Sequence, residues 1–163
     1  MSFDYVERIK NVINVLTDHN TTTASPDLSA SITTRVQSVI NDDPNIQGIR
    51  GDRTPAIFVS IDSASEEETQ MGANFTNRKK EKTVNYDIHG IYKKEGFSET
   101  HEAHLTDFYQ LANNVEAVLK KEATLSGTAL HIENVSTDFK SEQADNTYIK
   151  VFKISFSVRY FYS

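Results

Sequence analysis

Residues 150–163, KVFKISFSVRYFYS, constrain the fold more than any other stretch. Phe152, Ile154, Phe156, Val158 and Tyr160 are apolar, and Lys153, Ser155, Ser157 and Arg159 between them are polar. Alternation with a period of two marks a strand with one buried face. Of the nine phenylalanines and seven tyrosines in the chain, Phe152, Phe156, Tyr160, Phe161 and Tyr162 fall here. Left bare at a sheet edge, such a strand is a template for aggregation. The closing segment is therefore expected inside a sheet or an assembly, and not as a frayed polar tail.

The rest of the chain supplies what that strand needs. Phe3, Val6, Ile9, Val12, Ile13 and Leu16 recur every three or four residues, which predicts an amphipathic helix over 3–17. Asp27 is placed to cap a second helix over 27–40, with Leu28, Ile32, Val36, Val39 and Ile40 on one face. Ala56, Ile57, Phe58, Val59, Ser60 and Ile61 form a nearly continuous apolar run that reads as a buried strand. Val84, Tyr86, Ile88 and Tyr92 then alternate against Asn85, Asp87 and His89 as a second strand. Between them lies DSASEEETQMGANFTNRKKEK, residues 62–82, with scarcely any core-forming side chains. It reads as a long mobile or functional loop at the tip of a hairpin.

Leu105, Phe108, Leu111, Ala112, Val115, Val118 and Leu119 mark one face of a long helix over 99–121. Glu99 and Glu102 at its front and Lys120 and Lys121 at its back suit the helix dipole. Leu130, Ile132 and Val135 begin another strand, SEQADN turns, and the closing strand runs from Tyr148. The expected fold is α+β, a mostly antiparallel sheet of about four strands with helices packed on one face. The length of 163 residues suits a single domain, 1–163.

Composition removes several function classes. With 37% hydrophobic and 25% charged residues and no long apolar run, neither a membrane-spanning helix nor wholesale disorder fits. MSFDYVERIK lacks the pattern of a secretion leader, so synthesis and use in a cytoplasm are expected. Without cysteine there are no disulfides, thiolate metal sites or cysteine nucleophiles. A net charge of -6 argues against binding driven by phosphate neutralisation. The one basic run, RKKEK at 78–82, follows Glu66, Glu67 and Glu68 and reads first as part of a solvated loop of mixed sign.

The six glycines are scattered and build neither a P-loop nor a dinucleotide fingerprint, and no G-x-S-x-G turn is present. His101 and His104, spaced i, i+3 near Glu99 and Glu102, are the nearest approach to a metal pair. Their spacing is not that of H-E-x-x-H and no third ligand accompanies them, so a solvated helix start is preferred. No metal, cofactor or catalytic residue is expected.

The order of elements, with the stretches TPAIFVSID (54–62), VNYDIHGIY (84–92), LANNVEAVLKKEATLSG (111–127), IENVSTDF (132–139) and the closing VFKISFSVRYFYS, resembles the tail terminator, or tail completion, proteins of long-tailed bacteriophages. The resemblance covers residues 3–162 and is one of architecture, with a longer 62–82 loop and an extra 27–40 helix relative to smaller members. It implies a non-enzymatic virion subunit, assembled in the bacterial host's cytoplasm, that forms a hexameric ring on the head-proximal end of the tail tube. Such a ring stops tube elongation and offers the head a docking surface. The implied partners are further copies of the chain, the tube protein and a head-completion or connector protein. DNA passes through without specific binding, and no membrane is involved.

On that reading Phe152, Phe156 and Tyr160 pack under the helices, and Phe161 and Tyr162 are interface candidates. Glu66, Glu67, Glu68, Arg78, Lys79, Lys80 and Lys82 join them, on a loop that projects into the lumen or onto the tube and orders on contact. Two other classes stay open. A head-closure or connector protein belongs to the same particle, and a cytoplasmic adaptor would bind a peptide along a sheet edge.

Overall fold

A computed structural model describes residues 3–21, 24, 26, 28, 35–38, 56–70, 78–95, 101–125, 127, 129–144 and 147–162. In chain order these form α1 (Tyr5–Asp18), β1 (Arg35–Ser38), β2 (Ala56–Gln70), β3 (Arg78–Glu95), α2 (His101–Lys121), β4 (His131–Ala144) and β5 (Thr147–Tyr162). The strands make one sheet in the order β1-β2-β3-β5-β4. The short β1 runs parallel to β2, and every other pairing is antiparallel. The fold is α+β.

The closing strand is not at an edge. β5 is paired with β3 along one side and with β4 along most of the other. Its apolar row, Phe152, Ile154, Phe156, Val158 and Tyr160, is buried in the main core, as its alternation requires. Each side chain of this size contributes about 1.5–3 kcal/mol on full burial. Facing that row are Ile57 and Val59 of β2, Val84, Tyr86 and Ile88 of β3, and both helices. α1 supplies Val12, Val15 and Leu16, and α2 supplies Phe108, Leu111, Ala112, Val115, Val118 and Leu119. Both helices therefore lie on one face of the sheet. Gly90 sits opposite Phe152 in the ladder, and the ring occupies the space that a Cβ there would need. A smaller cluster, Ala56, Phe58, Ile91, Ile149 and Val151, is buried on the other face.

Local chemistry sets the helix ends. Asp4 caps α1, its Oδ1 accepting from the backbone N–H of Val6 at 3.0 Å and of Glu7 at 3.2 Å. Past the other end, the buried His19 donates from Nδ1 to the Pro26 carbonyl at 2.8 Å and sets Nε2 3.3 Å from Glu122 Oε1. That imidazole ties the end of α1 to the turn after α2. Gly127, with φ of 83°, lies in the left-handed region just beyond, where glycine carries no steric cost.

Two expectations need correction. Residues 35–38 are strand, not part of a helix over 27–40, because pairing of Arg35–Ser38 with Ala56–Val59 overrides an apolar spacing that suits either structure. Leu28 is buried in the main core and donates its N–H to the His19 carbonyl at 2.8 Å, and the remainder of that predicted helix lies outside the described residues. Residues 62–82 are not one long loop either. Strand pairing continues through Gln70 and resumes at Arg78, and only 71–77 fall outside the described strands. Apolar alternation reveals a strand with one buried face, and a ribbon wetted on both faces has none to show.

Inside the core the Oη atoms of Tyr86 and Tyr160 are 2.8 Å apart and the two residues are almost wholly buried. Burial pushes both phenols above the ordinary tyrosine value of 10.0. Unfolded tyrosines ionise above that value and the folded pair stays protonated, so stability is full below about pH 10 and falls as pH rises beyond it. Urea unfolding is expected to show this alkaline loss, and Tyr86→Phe with Tyr160→Phe to make it shallower. Tyr86→Phe alone leaves the Tyr160 hydroxyl without its partner and is expected to cost about 1–3 kcal/mol at neutral pH. An unchanged alkaline slope in the double variant would contradict the assignment.

Candidate functional site

β1 accompanies β2 only as far as Val59, and the β2–β3 register slips by one residue between Ile61 and Ser63. From there β2 and β3 run on as a hairpin arm. β4 begins opposite Arg159 and β5 ends opposite Lys80, so the sheet narrows toward the tip. The last pairs, Thr69 with Lys79 and Gln70 with Arg78, belong to β2 and β3 alone. Residues 62–67 are all exposed, and among the described residues no strand lies along their outer edge. At roughly 3.3 Å per residue, 62–70 extend about 30 Å.

The register brings the sequence-predicted interface residues to this one end of the sheet and sorts them by face. Glu66 stands opposite Lys82, which stands opposite Tyr160; Glu68 stands opposite Lys80, which stands opposite Tyr162. Glu66, Lys82 and Tyr160 share the helix-side face. Glu67 stands opposite Glu81, which stands opposite Phe161, and these share the open face. Phe161 is 48% exposed, in contrast to the buried row before it.

Each face of the arm's base is pinned by charge. On the helix side, Lys82 Nζ lies 4.8 Å from the ring centroids of both Phe3 and Tyr5. The Arg8 guanidinium lies 4.8 Å from that of Tyr160 and 5.4 Å from that of Phe3. Cation–π contacts thus join the start of α1 to the arm. On the open face Arg159 donates to Glu81 and, at 3.2 Å, to Glu133. His131 pairs with Glu133 in turn. The hydrogen bonds it donates to the Glu81 and Glu133 carboxylates hold the Arg159 guanidinium above its already high value.

Further down the open face runs a polar ladder. Ser157 Oγ donates to Asn85 Oδ1 at 2.6 Å, and Asn85 Nδ2 donates to Ser63 Oγ at 2.8 Å. Ser155 Oγ donates to the buried Asp87 at 2.7 Å, with Lys153 Nζ at 3.7 Å. A second exposed feature flanks edge strand β4, where the Tyr109 and Phe139 rings meet edge to face at 5.2 Å.

The sequence reading missed Phe3, Tyr5, Arg8 and Arg159 as supports of the arm. The first three sit in a helix start whose pattern reads as ordinary amphipathicity, and Arg159 reads as a solvated residue of an alternating strand. His101 and His104 fall in the first turn of α2, and among the described residues no three His, Asp or Glu side chains gather to hold a metal. The arrangement presents shaped, charged surface.

No protein-family model matches the chain, and no curated protein matches it. Among solved structures, a chain from the virion of a native gene transfer agent (GTA) particle aligns over 91% of this chain and 94% of its own length. Its identity is 11% and its TM-score 0.38, a likeness that carries no argument for fold or role.

Arg159 is paired to two carboxylates at the arm's base, and Glu67 opposes Glu81 directly. Arg159→Met is expected to lower the melting temperature at neutral pH, because like charges left facing each other repel. Adding Glu81→Gln is expected to recover part of the loss. A double variant no more stable than Arg159→Met would contradict this account of the network.

Proposed function

We propose that the chain is a structural virion subunit, a tail terminator that closes into a six-membered ring on the head-proximal end of a phage tail tube. The observation that carries the reading is the arm. Its residues 62–67 are exposed, and it gathers the charged residues 66–68 and 78–82 with the end of β5 at one pole. Beyond Lys80 only β2 and β3 remain paired, and a two-stranded ribbon is marginal alone in water, so the tip of the arm implies a surface that receives it.

The order of elements that resembles the tail terminator family supports the same reading. In a ring the arms meet the last tube ring and occupy the site where another tube subunit would add. The body of each subunit is left to meet the head-completion protein. The work is steric and needs no reaction centre. A net charge of -6 suits a conduit through which DNA slides without being retained. The outer edge of β2 beyond Val59, which no strand among the described residues pairs, also suits an adaptor that takes a peptide as an added strand, and that reading gives a monomer with no effect on tubes.

Shortening the arm separates the two. Joining Glu68 to Lys80 through Asn-Gly removes 69–79, supplies a hairpin turn between residues already opposite each other, and leaves Glu81 with Arg159. The shortened chain is expected to fold, and tails assembled with it to lose their fixed length in electron micrographs. Tails of normal length would sink the terminator assignment.

A further inference from the structure

The two outer edges of the sheet differ. On β2, β1 pairs as far as Val59, and beyond the register slip between Ile61 and Ser63 no strand among the described residues lies along the edge. From Ser63 to Gln70 the ladder with β3 runs without a further slip, and alternate residues turn their N–H and C=O outward. The edge of β4 is guarded. Its register slips between Glu133 and Ser136, Asn134 takes a left-handed backbone with φ of 55°, and Lys140 follows on the strand. Bulges and lysines are among the devices by which an edge refuses a further strand. Residues 63–70, SASEEETQ, carry neither a lysine nor a proline.

The acids of that edge decide what it can take. Glu66 is exposed on the helix-side face and Glu67 on the open face. Glu67 stands opposite another acid, Glu81, which Arg159 already binds. Lys82, opposite Glu66, lies over the Phe3 and Tyr5 rings. Among the described residues neither Glu66 nor Glu67 is in an ion pair. The same edge of a second copy, paired about Glu67, would set carboxylate against carboxylate, and like charges across strands repel. A second copy has no free basic edge to offer, because Lys80 and Lys82 stand between β2 and β5 in the ladder and the β4 edge is guarded.

Resting on the terminator reading above, we infer that the outer edge of β2 from Ser63 to Glu67 receives an extended basic segment of the tube protein as an added strand. Two adjacent lysine or arginine side chains of that segment point to opposite faces, one to Glu66 and one to Glu67. Backbone hydrogen bonds along the edge supply affinity, and the two carboxylates select the sequence. Ser63, Ala64 and Ser65 are small, so bulkier side chains of the added strand have room beside them. The occupant is thus a different protein from this chain, chosen by charge.

Labelled peptides test the edge in the full chain by fluorescence anisotropy, acetyl-TVTKRKTVT-amide against acetyl-TVTEEETVT-amide. The basic peptide is expected to bind roughly tenfold more tightly at low salt and to lose that advantage at high salt. It is expected to move the backbone amide resonances of 62–67. Glu66→Gln with Glu67→Gln keeps the size of both side chains. That double variant is expected to melt with the wild type, to lose the preference for the basic peptide, and to bind tube ends roughly tenfold more weakly.

Equal affinity for the two peptides, resonance shifts confined to other parts of the sheet, or undiminished binding of the double variant to tube ends would overturn this pairing. The terminator reading would survive each of these, since it is judged by the tail lengths that the shortened arm gives. A wild-type chain that binds no tube ends would overturn the terminator reading and the tube partner together.

Discussion

β5 is held on two sides by strands and from above by two helices, and the other elements are arranged around that fact. Because β3 pairs with it from Glu95 to Lys80, and β4 from Ala144 to His131, the sequence between β3 and β4 must cross from one flank of β5 to the other. α2 makes that crossing over the sheet, and in doing so covers the apolar row from Phe152 to Tyr160. α1 covers what remains beside β2. The polar row of β5 is left on the open face, where Ser155, Ser157 and Arg159 bind Asp87, Asn85 and Glu81 of β3. One alternating strand thereby fixes the core on one face of the sheet and a hydrogen-bonded ladder on the other.

Much of this was legible in the chain. The apolar spacing of α1 and α2 and the alternation of β3 and β5 come from one-sided burial, the property that periodicity reports. Where burial is two-sided, local or absent, the pattern misleads. Val36 sits in a short strand that pairs in parallel with β2 and contacts α1, so helical spacing around it carried no weight against pairing. The arm was opaque for the opposite reason. Glu66, Glu67 and their neighbours are strand by virtue of ladder hydrogen bonds and cross-strand charge pairs, and no side chain there is driven inward.

The candidate site was half visible. Charged runs at 66–68 and 78–82 and the aromatic residues Phe161 and Tyr162 stand out in the sequence, and the register shows that they share one end of the sheet. Their division between two faces, and the supports from Phe3, Arg8 and Arg159, depend on a strand register that composition does not encode. A surface of this kind acts by shape and sign. It suits a subunit whose role is to stop one polymer and receive another structure, and the stiffness of a paired ribbon keeps the charges at fixed heights.

The central claim is that this chain assembles through the arm end of its sheet. Hydrogen exchange of the β2 amides in the isolated subunit and in tube-bound rings tests it most directly. Amides of 62–70 that point away from β3 are expected to exchange rapidly in the free subunit and to become protected on assembly, while those bonded to β3 are slow in both. Protection that appears elsewhere on the sheet, with the outer edge of β2 exchanging equally fast in both states, would contradict the account.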